Sequence, residues 1–167
     1  TLEDIKKGLE NLFKRFVKEG LTSIHDIVGD PTEIRALQEL RSEGRLPVRV
    51  MYHPFVDHWE IKLDCFSNLG LVTGFGDDLL KLGGAKVVLD GGMTGRNAAV
   101  YEPYVGEPNN YGMVNMSQEK LNELALKAHR TGLQLVIHAI GDRATDMTLD
   151  AIEYSLKKVP GKDSRPR

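Results

Sequence analysis

Helix-like and strand-like segments alternate along this chain, which predicts an α/β fold with parallel strands. Short apolar, β-branched runs occur at LTSIHDIV, LPVRVMYH, AKVVLD and LQLVIH. Between them lie stretches whose apolar residues recur at helical spacing, opening on capping residues and closing on glycine. Strands separated by helices form parallel βαβ units joined by right-handed crossovers.

The first nineteen residues place Leu2, Ile5, Leu9, Leu12, Phe13, Phe16 and Val17 on helical spacing, and Gly20 fits the stop. LTSIHDIV, from Leu21, reads as a short buried strand. Asp30-Pro31-Thr32-Glu33 then offers an N-cap, a proline at the first helical position and a glutamate placed for a capping box, which predicts a helix to about Gly44. LPVRVMYH, from Leu46, is a second strand with Pro47 at its start. Phe55 to Asn68 reads as a helix, and Gly70 to Gly84 as turns. AKVVLD, from Ala85, is the third strand. It runs into Gly91-Gly92 and a polar loop that lasts until Met116 and carries Arg96, Tyr101 and Tyr104. Connections of that length inside a compact domain are commonly functional. Ser117 caps a helix with Leu121, Leu124, Ala125 and Ala128 on its core face, and Gly132 ends it. The fourth strand follows, and Asp142 is placed to cap a last helix that ends near Pro160.

Composition narrows the function classes. The net charge is -2 and the basic residues are scattered, so the clustered footprint that phosphate backbones require is missing and no nucleic-acid partner is expected. No apolar stretch approaches the ~20 residues needed to span a bilayer, so no membrane partner is expected. The lone Cys65 cannot form an internal disulfide, which favours a reducing, cytoplasmic setting. GGMTGR lacks the Gly-Lys-Ser/Thr ending of a phosphate loop, and Cys65 has no recognisable nucleophile motif around it. The chain begins at Thr1 and ends on SRPR, so it is expected to be a piece of a longer polypeptide.

In parallel α/β folds chemistry gathers at the carboxyl ends of the strands. His25 lies in or at the end of the first strand, His53 ends the second, and His138 ends the fourth in LQLVIHAIGDRA. One such histidine is an ordinary satisfied core imidazole; three at matching places are less easily a coincidence. His58 and His129 are expected on solvated helical surfaces.

The segments GLTSIHD, GAKVVLDGGMTGRNAAVYEPY and LQLVIHAIGDRATDMTLDAIE resemble the metal-dependent amidohydrolase superfamily, in its amidohydrolase-3, YtcJ-like branch. The resemblance implies a partial (β/α)8 TIM barrel, truncated at both ends, with these four strands as barrel strands two to five and residues 1–167 a central segment of the catalytic domain. It implies one or two divalent metals at the barrel mouth, zinc first, and hydrolysis of amide or related C-N bonds in a small-molecule substrate. His138 matches the fifth-strand histidine ligand, and Lys86 matches the fourth-strand lysine whose carbamate bridges two metals. Asp90, Arg96, His25 and Tyr104 are placed for substrate. The His-x-His pair, the sixth-strand histidine and the catalytic aspartate of such relatives have no counterpart here, so the isolated chain is expected to be inactive and to bind metal weakly or not at all. Strands cut from a closed barrel expose unpaired edges, so a homo-oligomer is expected. The alternative is a non-catalytic scaffold or regulatory binding module on the same fold.

Overall fold

Helix α1 (Leu2–Lys18) forms because its apolar residues make one stripe and its N-terminus is fully capped. The Thr1 hydroxyl accepts from the Asp4 backbone N–H while the Asp4 carboxylate accepts from the Thr1 amine and hydroxyl. This is the computed structural model of the chain, and it describes residues 1–56 and 62–161. Strand β1 (Ser23–Val28) leads to α2 (Pro31–Ser42), then β2 (Arg49–Pro54), α3 (Leu63–Asn68), β3 (Leu80–Leu82), β4 (Ala85–Val88), α4 (Gln118–Thr131), β5 (Leu135–His138) and α5 (Asp142–Lys158). All strand pairs are parallel, as expected. They form two sheets, β1-β2-β3 and β4-β5, in two compact units, Thr1–Gly84 and Ala85–Arg167.

In the first unit α1 packs on α2, and both cover one face of the sheet. Phe13, Ala36, Leu37, Leu40, Val48 and Val50 are buried together there. Losing a side chain such as Phe13 from this layer costs about 3–5 kcal/mol, because transfer and cavity terms add. Lys6 is only 5 % exposed, yet its ammonium reaches Glu43 at 2.6 Å and Glu39 at 3.3 Å, so its stem joins the packing and its charge is met.

In the second unit the strands alternate strictly. Ala85, Val87, Leu135 and Ile137 are buried on one face, whereas Lys86, Val88, Val136 and His138 are half-buried on the other. Helix α4 packs on β5 and on α5, burying Leu121, Leu124, Ala125 and Ala128. Gly132 ends α4 at φ 83°, a left-handed cap that glycine adopts without a Cβ penalty.

Several expectations need correction. The expected capping box of α2 is not closed: Asp30 accepts from the Thr32 N–H at 2.7 Å, and Glu33 makes no return bond. Pro47 precedes β2, whose first residue is Arg49, so the strand's ladder begins only after the proline. The helix expected over Phe55–Asn68 is confined in the described residues to the six of α3, while Phe55 donates its N–H to Val28 O and extends the sheet. The turn-rich stretch before Gly84 contains β3, too short to show a period. Asp142 is the first residue of α5, with Gly141 in the cap position. His129 is buried, 2 % exposed, and its Nε2–H donates to Val159 O at 2.9 Å, tying the end of α4 to the end of α5. His58 lies outside the described residues.

The Lys6 cluster generates a pH-dependent expectation. The ammonium of Lys6, and then Arg45, holds Glu43 below its ordinary carboxylate value of 4.5. A depressed carboxylate stabilises the fold fully above its unfolded pKa, and that contribution is lost as pH falls through the folded one. Lys6→Met is therefore expected to be destabilising at neutral pH, by a margin that shrinks on acidification to about pH 3. Urea unfolding of both forms at the two pH values measures it, and equal margins would rule Lys6 out as the source.

Candidate functional site

The carboxyl ends of β4 and β5 are joined by one buried side chain. Asp90 is 1 % exposed, and its carboxylate accepts three backbone N–H bonds, from Gly141 at 2.8 Å, Ala99 at 3.0 Å and Ile140 at 3.0 Å. A buried carboxylate is tolerable only when its lone pairs are met in this way. The result fixes the turn after β5 and the start of the loop after β4 against each other. Gly141 lies so close to Ala99 that a Cβ there would overlap the Ala99 carbonyl, so the approach requires glycine.

The imidazole of His138 is held by the same junction. Its Nε2 lies 3.0 Å from Gly91 O and 3.8 Å from Asp90 Oδ1. A carbonyl can only accept, so Nε2 carries the proton and Nδ1 of the neutral ring keeps its lone pair for another partner. Backbone carbonyls orient metal-ligating histidines through this arrangement. Lys86 pairs with Val136, and Val88 with His138, so Lys86 and His138 share the face of the sheet turned away from the buried layer. They are offset by one side-chain repeat, about 6.6 Å along the strands. The Lys86 ammonium has no carboxylate partner among the described residues, and burial lowers its pKa from the ordinary lysine value.

The loop over residues 91–116 is ordered by its own polar groups. Asn97 Oδ1 accepts from Gly92 N, Asn115 Nδ2 donates to Val88 O, and Tyr104 Oη donates to Ala98 O at 3.0 Å. Arg96 sits at φ 50°, a left-handed conformation that costs a non-glycine residue about 1–2 kcal/mol. Its guanidinium pairs with Glu107, and its carbonyl accepts from Asn110 Nδ2, so loop partners hold it in place. Asp142 Oδ1 accepts from Tyr101 N, while the Tyr101 hydroxyl donates to Asp146 on α5.

His138, Lys86, Asp90, Arg96 and Tyr104 thus all lie on β4, β5 and the loop between β4 and α4. His25 belongs to the first unit: it is exposed on β1, with Nδ1 2.8 Å from Nε2 of His53 on β2. His53 was visible in the sequence only as a strand-end histidine. Asn97 lies within the family-like segment and Glu107 outside it, and no spacing in the sequence signals that either shapes the loop. Among the described residues no three His, Cys, Asp or Glu side chains converge as a complete metal set. What is present fits one side of such a site: an oriented imidazole lone pair and an amine on the same face.

A profile of the amidohydrolase family matches residues 1–167. The protein LONG AFTER FAR-RED 3 of Arabidopsis thaliana is 38 % identical over 92 % of this chain and 27 % of its own length. The putative amidohydrolase YtcJ of Bacillus subtilis (strain 168) is 32 % identical over 96 % of this chain and 29 % of its own. The crystal structure of an uncharacterized metal-dependent hydrolase from Pyrococcus furiosus superposes with a TM-score of 0.82 at 32 % identity, over 93 % of this chain and 32 % of that one. The chain spans less than a third of each.

Asp90→Ala leaves three N–H groups without their acceptor and is expected to destabilise the chain by about 3 kcal/mol or more. Asp90→Asn, which can keep the oxygen shared by Ala99 and Gly141, is expected to lose less. Urea unfolding ranks the two, and equal losses would mean that the carboxylate does not hold the junction.

Proposed function

Because the chain belongs to the amidohydrolase family, we propose that it forms part of the active centre of a metal-dependent hydrolase acting on amide or related C-N bonds of small molecules. The observation that carries this reading is the orientation of His138, whose Nε2–H on Gly91 O leaves Nδ1 available at the carboxyl end of β5, on the face that also carries Lys86. His138 and Lys86 are the proposed ligands. Zinc suits imidazole and oxygen donors best, with iron or manganese as alternatives. A divalent cation held there supplies Lewis-acid polarisation of the scissile carbonyl and a lowered pKa for water.

The chain's own residues prepare that chemistry. Half-burial of Lys86 enlarges the fraction of neutral amine that can add to carbon dioxide. The nitrogen lone pair bonds the carbon, an N–H proton leaves to water, and the resulting carbamate has two anionic oxygens on a long stem. Asp90 holds the backbone around His138. The loop carrying Arg96 and Tyr104 covers the carboxyl end of β4, where the planar Arg96 fork would meet a substrate carboxylate on exchange from Glu107. His25 is proposed as a substrate contact of the complete protein. We also propose a cytoplasmic setting and self-association through strand edges; a clean monomer at micromolar concentration in sedimentation would remove the second.

The complete gene product, supplied with zinc, is expected to hydrolyse at least one member of a panel of amides, N-formyl and N-acyl compounds, and to lose that activity to a chelator. Lys86→Ala and His138→Gln are each expected to lower kcat/KM by at least about a hundredfold. Activity indifferent to the chelator and to both substitutions would overturn the assignment and favour a scaffold or binding module.

A further inference from the structure

The sheet of the first unit has a second face from which the hydrolase reading takes only His25. Val50 and Leu80 pack toward α1 and α2, whereas the parallel register lines up His25, Met51 and Lys81 in one row of the opposite face and Ile27 with His53 in the next. On that face the His25 and His53 rings lie end to end and nearly coplanar, with centroids 5.1 Å apart at 12° and Nδ1 of one 2.8 Å from Nε2 of the other. A Cβ on Gly83 would lie 2.5 Å from Met51 Cγ and 2.6 Å from His53 Nε2. Met51 Cγ and the imidazole edge of His53 therefore both border the space over a residue with no side chain, and any other residue at that position would fill that space. A cavity of about 280 Å³, lined in part by His25, Met51, Arg49 and Lys81, opens beside them.

We propose that His25 Nδ1, His53 Nε2 and the Met51 thioether form a site for a soft monovalent transition-metal ion, Cu(I). Two neutral imidazoles and a thioether are a soft donor set. Among the described residues the Arg49 guanidinium bonds hydroxyls, Ser23 Oγ at 2.8 Å and Thr22 Oγ1 at 3.1 Å, and Lys81 meets the fully exposed Asp78 at 3.8 Å. Their positive charge opposes a dication about twice as strongly as a monocation. The two nitrogens face each other along the line between the ring centres, so a Cu(I) ion held between them is linearly coordinated. Metal–imidazole bonds of about 2 Å put the nitrogens roughly 4 Å apart, so the rings must separate by about 1 Å, which the exposed His25 can do. The hydrogen bond between the rings places one ring proton at the contact. Binding moves that proton to the far nitrogen of the same ring, so both rings stay neutral and no proton is released. The proposal is independent of hydrolase activity.

The test uses the whole chain carrying Cys65→Ser, since that exposed thiol also takes Cu(I). Cu(I) is titrated anaerobically against a competing chromophoric chelator. One equivalent is expected to be retained, with affinity falling at least about tenfold in His25→Gln and in Met51→Leu, and unchanged in His138→Gln. His25 is exposed and Met51→Leu conserves volume, so both variants should keep their thermal transition, read by circular dichroism. If one unfolds, the other decides. Unchanged affinity in a folded variant, loss of binding in His138→Gln, or tighter retention of Zn(II) than of Cu(I) would each overturn the site.

Discussion

The carboxylate of Asp90 is the constraint on which the second unit depends. It sits where β4 ends and takes three N–H groups from two separate segments of the chain. Paired this way, a buried charge that would otherwise be prohibitive becomes a rigid joint, because the low local dielectric strengthens each bond. The joint sets the position of Gly91, whose carbonyl fixes the His138 ring, and of Ala99, against which Gly141 starts α5. The orientation of one imidazole is thus the end product of backbone bonding two residues away.

A shared logic governs both sheets although each belongs to its own unit. One face is apolar and buried against helices. The other face carries groups with chemical capacity: His138 and Lys86 in one sheet, His25, His53 and Met51 in the other. In each pair the two polar residues lie on neighbouring strands one side-chain repeat apart. Period-two alternation produces this layout, since residues i and i+2 share a face and the parallel register carries that face across the strands. Burying the helix face supplies the stability, which leaves the second face open to residues chosen for function.

Much of this was legible in the sequence. The helical stripes, the caps at Ser117 and Asp30, the glycine stop at Gly132 and the strand-end position of His138 all follow from local patterns, and the family likeness rests on contiguous motifs. Other features were not. β3 has three residues, too few for a period. His129 looked like a polar residue on a helix surface, but the adjacent end of α5 buries it and offers the Val159 carbonyl. Asp142 had the chemistry of a cap, and the loop at Tyr101 drew its side chain away from that role. Arg96 was expected to face substrate, and the fold brings Glu107 to its guanidinium.

The sequence by itself determined the alternation of parallel strands and helices, the faces of those elements, and the family to which the chain belongs, because each is written in spacing over a few neighbouring residues. Only the tertiary structure decided what the polar groups do. Asp90 meets Gly141, His138 meets Gly91, and His25 meets His53 across separations of many residues, and no local preference encodes such partners. Folding selects them by requiring that buried donors and acceptors find one another once the apolar faces have closed.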